Sequence, residues 1–203
     1  YDHLGMGGPG SAAPGVTEIH NGADDNASGT TVLLEVARQL AASPKKLPRR
    51  VVFIAFTGEE RGLIGSARYV RNPVFPLEST VAMLNLDMVG RLDENKLIVH
   101  GTGTADEFDA LVDRFGEDAG LKITKQPGGF GPSDHSSFYG AKIPVLFFFT
   151  GSHKDYHRPS DDADKLNIAG MRRIADLVAQ VATTLAEADE RPQYKEVKGG
   201  TVL

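Results

Sequence analysis

Three near-continuous apolar runs constrain the fold of this chain more than any other feature. Arg50 to Thr57 (RVVFIAFT), Val81 to Met88 (VAMLNLDM) and Lys142 to Thr150 (KIPVLFFFT) are strand-sized and rich in β-branched and aromatic residues. None alternates apolar with polar, so each must be covered on both faces, as in parallel sheets flanked by helices. Helical spacing fills the intervals. Val32, Leu33, Val36, Ala37 and Leu40 mark a helix over 28–42. Phe108, Leu111, Val112 and Phe115 mark one over 104–119, and Ile174, Leu177, Val178, Val181 and Leu185 mark a long one over 168–187. A short helix is expected over 62–71, with lesser strands at Leu97 to His100 and over 121–125. The pattern predicts an α/β chain: a three-layer α/β/α sandwich with a mostly parallel, mixed central sheet.

At 203 residues the chain fits one large domain, expected over 1–190, with the polar stretch 191–203 as a tail, linker or edge strand. The formal net charge of −5 and the lack of a basic stripe give no footing to nucleic acid. Lys45-Lys46 and Arg49-Arg50 read as a solvated connection. No cysteine occurs, which excludes disulfides, thiolate metal sites and a cysteine nucleophile. No apolar run approaches the roughly 18 residues of a bilayer span. The first 27 residues, rich in Gly, Pro and Asn, read as loop. Because the sequence opens at Tyr1 without a methionine, it reads as part of something longer, with room for a further domain beyond either end.

In open α/β sheets, ligands bind beyond the carboxyl ends of the strands. Glu59 and Glu60 follow the first apolar run, and Asp87 lies at the end of the second. The loop after the last carries His153, Asp155, Tyr156 and His157, and Asp24-Asp25 precede the first helix. Such a gathering of carboxylates is costly without a neutralising cation. Carboxylates with imidazole and no thiolate suit a hydrolytic metal such as zinc. Two such ions polarise a carbonyl and activate water, and a further carboxylate moves the proton. If Glu59 and Glu60 lie in extended chain they point to opposite sides, one toward metal and one toward water. An isolated acid pair is ordinarily a solvated surface feature, and Asp24-Asp25 also suit a helix N-terminus. Asp87 in an apolar strand has no such bland reading. His20, His135 and His153 read as ordinary histidines, His135 with a supporting role near the site. No G-x-S-x-G elbow or H-E-x-x-H occurs, which disfavours a serine hydrolase and a zincin.

Six segments, in order, resemble the co-catalytic zinc aminopeptidases, the group that includes bacterial leucyl aminopeptidases and, more distantly, glutamate carboxypeptidase and the glutaminyl cyclases. They are YDHLG (1–5), NGADDNASG (21–29), FTGEERGLIGS (56–66), NLDMVGR (85–91), SDHSSF (133–138) and YHRPSDD (156–162). The resemblance implies a zinc exopeptidase fold whose N-terminal strands are missing from this chain. It implies Asp25 as the carboxylate bridging two zinc ions, Glu60 and His157 as ligands of one ion, and Asp87 as a ligand of the other. It makes Glu59 the general base and Tyr156 an oxyanion donor, and it implies a cis peptide between Asp25 and Asn26. Asp2 matches a residue that orients a ligand histidine, which would fall just before Tyr1; His3 is a neighbour of the site, with substitution for that histidine as the lesser reading, and two ions are expected in the complete enzyme against one possible in this chain. The function implied is aminopeptidase action on peptides with a free N-terminus, in a bacterial, extracytoplasmic setting. Two other readings stay open: a single-zinc acyltransferase of the glutaminyl cyclase kind, resting on Asp25, Glu60 and His157, and a non-catalytic peptidase-like binding domain. The absence of tryptophan speaks against the first.

Overall fold

The computed structural model describes residues 3–197. Its sheet has four strands: β1 (Met83–Leu86), β2 (Lys96–His100), β3 (Lys122–Gln126) and β4 (Val145–Phe149). Their spatial order is β1-β4-β2-β3. The β1–β4 and β2–β3 pairs are parallel, and β2 runs antiparallel to β4, with Val99 opposite Phe148. This is a mixed α/β sheet, as the apolar runs predicted.

Helices α1 (Gly29–Ala42), α3 (Phe108–Asp118) and α5 (Ile168–Glu187) cover one face, while α2 (Ile64–Arg71) and α4 (His135–Gly140) cover the other. Strand β4 serves both faces through its period-2 alternation. Leu146 and Phe148 enter the large core with Val32, Val99, Val112, Ile174 and Leu177, and Val145 enters the smaller one with Phe138, Tyr139 and Ile143. Each such large side chain, removed wholly from water, contributes on the order of 1.5–3 kcal/mol. Helix α5 starts where Asn167 accepts the Gly170 amide in its side-chain oxygen at 2.8 Å, an N-cap.

The run Arg50 to Thr57 departs from expectation. It joins no strand pairing among the described residues, and Val52 and Phe53 are 45% and 38% exposed. A strand needs a hydrogen-bonding neighbour within about 5 Å. Here a mostly apolar cavity of about 460 Å³ lies between the run and β1, lined by Val52, Ile54, Met83 and Leu84, with Val178 and Leu185 of α5 at its floor. The run's apolar character marks a wall of that cavity, and β1 is paired only through the edge that faces β4.

The polar stretch after α5 is neither strand nor free linker over 191–197. Arg191 donates to the carbonyls of Glu78 and Thr80, the Lys195 amide donates to the Thr104 carbonyl, and the Val197 amide donates to the Tyr139 hydroxyl. Residues 198–203, the rest of the expected tail, lie outside the described residues, as do Tyr1 and Asp2. No described helix is long and apolar enough to cross a membrane.

Candidate metal centre

At the end of β1 the chain must leave the sheet while its backbone stays buried. The amides that result are taken up by one turn, residues 24–28. Met88 donates to Asn26 Oδ1 at 3.3 Å, Val89 to Ser28 Oγ at 3.0 Å, and Gly90 to Asp24 Oδ1 at 2.6 Å. Asn26 also donates from Nδ2 to the Leu86 carbonyl at 2.9 Å. The turn can approach this closely only because Gly29 lacks a side chain: a Cβ there would sit 2.4 Å from the Leu86 carbonyl oxygen. Asp24, Asn26 and Ser28 therefore hold the strand end, and Asp25 is left to face the other way. The Asp25–Asn26 peptide is cis.

The backbone of this turn is fixed from a second direction. Asp161 is fully buried, and its Oδ2 accepts the amides of Asp24 and Asp25 at 2.8 and 3.1 Å. Its Oδ1 accepts from Arg91 at 2.8 Å, which balances the charge. His153 faces Asp24 Oδ2 at 3.1 Å, and Asp155 accepts from Ser160 and Lys165. This charged frame absorbs His153, Asp155 and Asp24 into structural pairs. It also ties the loop bearing His157 to the turn bearing Asp25.

His157 is oriented from behind. Its Nδ1–H donates to the Gly10 carbonyl at 2.7 Å, so Nε2 is the nitrogen turned inward. Nε2 lies 3.1 Å from both Asp25 Oδ2 and Glu60 Oε2, in good hydrogen-bond alignment with neither. The Tyr156 ring stacks on the imidazole at 3.8 Å. His3 meets the other oxygen of the same carboxylate, its Nδ1–H donating to Glu60 Oε1 at 2.8 Å. His3, Asp25 and Glu60 offer ligand atoms within 4.8 Å of one another.

Glu59 and Glu60 do not sit in extended chain, as the sequence reading supposed. They begin a 3-10 turn, Glu59–Arg61, entered through Gly58 at φ 68°. Side chains on such a turn are about 120° apart, so the two acids still diverge, by turn geometry instead of strand pleat. Glu60 reaches the histidines. Glu59 faces Asp87, whose Oδ2 accepts from Ser133 Oγ at 2.7 Å. Asn85 in turn donates to Ser133 at 2.8 Å. Asp87 Oδ1 is buried and has no hydrogen-bond partner.

The electrostatics divide the site. Burial raises the Glu59 carboxyl to about 8, with repulsion from Asp87, Glu60, Asp134 and Asp25 adding to it. Burial likewise lifts Asp87 to about 7, helped by Asp25. On the other side burial would raise Glu60, but His157 and His3 outweigh it and hold the carboxyl near about 2. Burial would lower His157, yet the Asp25 and Glu60 carboxylates push it up to about 10. The Tyr156 phenol is pushed up, by burial first and then by the same acids, so it stays protonated at neutral pH.

The structure brings together Asp25, Glu59, Glu60, Asp87, Tyr156 and His157. Asp25, Glu60 and His157 converge at hydrogen-bond distances, Glu59 and Asp87 repel one another beside them, and Tyr156 covers the imidazole. His135 stands apart, wholly buried and stacked on Phe147 at 4.4 Å. His20 is occupied by Ser11 and the Glu18 carbonyl. The sequence reading did not single out Ser133, Asn85, Asp134 or Asp161. Ser133 and Asp134 lie in SDHSSF, Asp161 in YHRPSDD and Asn85 in NLDMVGR, so their signal was membership of a motif rather than chemistry.

A mixed α/β sheet with acids and histidines gathered beyond its strand ends suits a metal-dependent hydrolase. The sequence profile of Peptidase family M28 matches residues 1–182, and the chain belongs to that family. Aminopeptidase YwaD of Bacillus subtilis (strain 168) is 31% identical over 186 residues, 85% of this chain and 39% of that protein. Leucine aminopeptidase 2 of Trichophyton rubrum is 30% identical, across 88% of this chain and 44% of its own length. Among solved structures, BSAP, a zinc aminopeptidase from Bacillus subtilis, superimposes with a TM-score of 0.73 at 28% identity. It covers 95% of this chain and 47% of its own. The Legionella pneumophila LapA aminopeptidase gives 0.73 at 28%, covering 83% and 48%. The chain spans about half, or less, of the length of these relatives.

Proposed function

We propose that this chain is the catalytic part of a zinc-dependent aminopeptidase that removes N-terminal residues from peptides. The observation that carries the reading is the convergence of Asp25, Glu60 and His157 Nε2, beside a Glu59–Asp87 pair with no cationic partner among the described residues. The donor set fits a divalent cation. With its Nδ1–H held by the Gly10 carbonyl, His157 turns Nε2 toward Asp25 and Glu60, and the proton it carries there up to about pH 10 stands where a cation would bind. The orphaned Asp87 Oδ1 is a further donor atom. Asp25, Glu60 and His157 would hold one zinc ion, and Asp87 would hold a second, with Asp25 shared between them. When bound, zinc polarises the scissile carbonyl and makes water acidic enough to attack near neutral pH.

The chain's own groups supply the rest. Glu59 accepts the proton from the attacking water and returns it to the leaving amine, and burial places its carboxyl where it can do both. Tyr156, kept protonated, donates to the oxyanion. Ser133, fixed by Asn85, orients Asp87. The substrate is a peptide with a free N-terminus, and an extracytoplasmic setting is the one we favour, as the family resemblance first suggested.

Glu59→Gln tests the assignment. It removes the proton acceptor and leaves the proposed ligands in place. We expect turnover of an aminoacyl anilide to fall by about 10²–10⁴-fold with zinc content unchanged. Undiminished turnover would remove Glu59 from the mechanism.

A further inference from the structure

We infer that Ser11 and His20 are positioning residues for His157, acting through the backbone of residues 10–12. The inference rests on the proposed zinc site and goes beyond it, because neither residue lies in any of the six segments that carry the family resemblance. Residues 10–12 grip His157 twice. The Gly10 carbonyl accepts the imidazole Nδ1–H at 2.7 Å, and the Ala12 amide donates to the His157 carbonyl at 2.9 Å. The second grip acts on the main chain, where His157 sits at φ 54°. Residues with a side chain adopt that left-handed conformation uncommonly. The two bonds together fix the backbone turn and the ring rotation that aim Nε2 at Asp25 and Glu60.

Ser11 stands between the two grips, and its hydroxyl works in both directions. It accepts the Ala13 amide at 3.0 Å and donates to His20 Nε2 at 2.8 Å. The second direction follows from the other ring nitrogen. His20 Nδ1 lies 2.9 Å from the Glu18 carbonyl, which can only accept, so Nδ1 carries the hydrogen and Nε2 takes the hydroxyl proton. His20 is itself held firmly. It is 3% exposed, and its amide donates to the Gly5 carbonyl at 2.7 Å. Gly7, at φ 89°, lets the chain wrap the ring closely, since a Cβ there would come within 2.8 Å of the imidazole. A buried imidazole satisfied at both nitrogens is a fixed post. Ser11 ties residues 10–13 to it, and through them His157.

Two readouts test this together: chelator competition for zinc, and solvent exchange of the His157 Nδ1 proton, followed by NMR on the zinc-free chain. Ser11→Ala removes one hydroxyl and leaves the His20 ring in place. We expect zinc binding to weaken by about tenfold, the low end of what an outer contact to a ligand histidine carries, and the Nδ1 proton to exchange faster. Ser11→Thr, which keeps the hydroxyl, should restore both. His20→Ala should match Ser11→Ala, and the double variant should lose little more than either, since both act by one route. The Ser11 variants carry the test whether or not His20→Ala folds. Zinc affinity and proton protection unchanged in Ser11→Ala, even with lowered thermal stability, would reduce the pair to structural ties of their own loop. That result would overturn the inference and leave the proposed site intact. Losses that add in the double variant would overturn the shared route. Zinc binding untouched by His157→Ala would sink the underlying site, and the inference with it.

Discussion

The two sides of the carboxylate cluster are built from the same residue types and behave in opposite ways. Around Glu60, two imidazoles stand against two carboxylates, Glu60 stays ionised down to about 2, and His157 holds its proton up to about 10. Around Glu59 and Asp87, carboxylates face carboxylates, and both are lifted, to about 8 and about 7, by burial first and mutual repulsion second. On the histidine-rich side the imidazoles offset carboxylate charge. The acid-only side stores repulsion that only protons or a cation can relieve, and that side also holds the residue best placed to carry protons in catalysis. On the proposed reading the histidine side would hold one ion, while the acid-only side would hold the second through Asp87 and move the proton through Glu59, with Asp25 common to both.

The largest effect should come from the residue the two sides share. Asp25→Ala removes one carboxylate from both, so zinc binding should weaken by roughly a hundredfold or more, measured by chelator competition. Binding near the wild-type level would mean that Asp25 is not a shared ligand. Ser133→Ala sharpens the comparison by touching only the acid-only side. Asp87 would lose its one oriented donor, and we expect a loss of about tenfold in kcat with tight zinc binding at the His157 side retained. Equal weakening at both sides would show that the division is not real.

The smallest effect concerns acid stability, away from the cluster. His135 is buried without polar partners, and burial first, then His100, holds it near about 3. Its folded-state value is depressed while the unfolded one is near 6.5, so the unfolded chain binds the extra proton between these limits. Stability is then complete above about pH 6.5 and falls as pH drops toward 3, by up to roughly 1.4 kcal/mol per unit. His135→Phe, which can keep the stack on Phe147, should flatten that fall in urea titrations at pH 6.5 and 4.5. An unchanged slope would assign the acid sensitivity to the carboxylate frame instead.

Most of the architecture was legible from the sequence because it is written in periodicities. Helices α1, α3 and α5 and strands β1 and β4 follow from apolar spacing alone. Helix α4 does not: HSSFYG is six residues, polar at its start, and exists because Phe138 and Tyr139 find a core. Arg50 to Thr57 reads as a strand because its side chains are apolar, yet sheet membership is decided by backbone neighbours, and the side of the run that faces β1 is cavity. In the site, Glu59, Glu60 and Asp87 stood out as acids at the ends of apolar runs, while Asp25 and His157 gained their roles from the family resemblance. Ser133 and Asp161 were not legible, since a serine at 133 or an aspartate at 161 gains its meaning from a partner some 45 to 140 residues away.

The central claim is that Asp25, Glu60 and His157 hold zinc, and elemental analysis of the purified chain tests it most directly. The chain would be reconstituted with zinc and desalted without chelators, with its concentration fixed independently. The account predicts at least one zinc ion retained per chain, rising toward two if the Asp87 side is also complete. A chain that emerges with no zinc would contradict it.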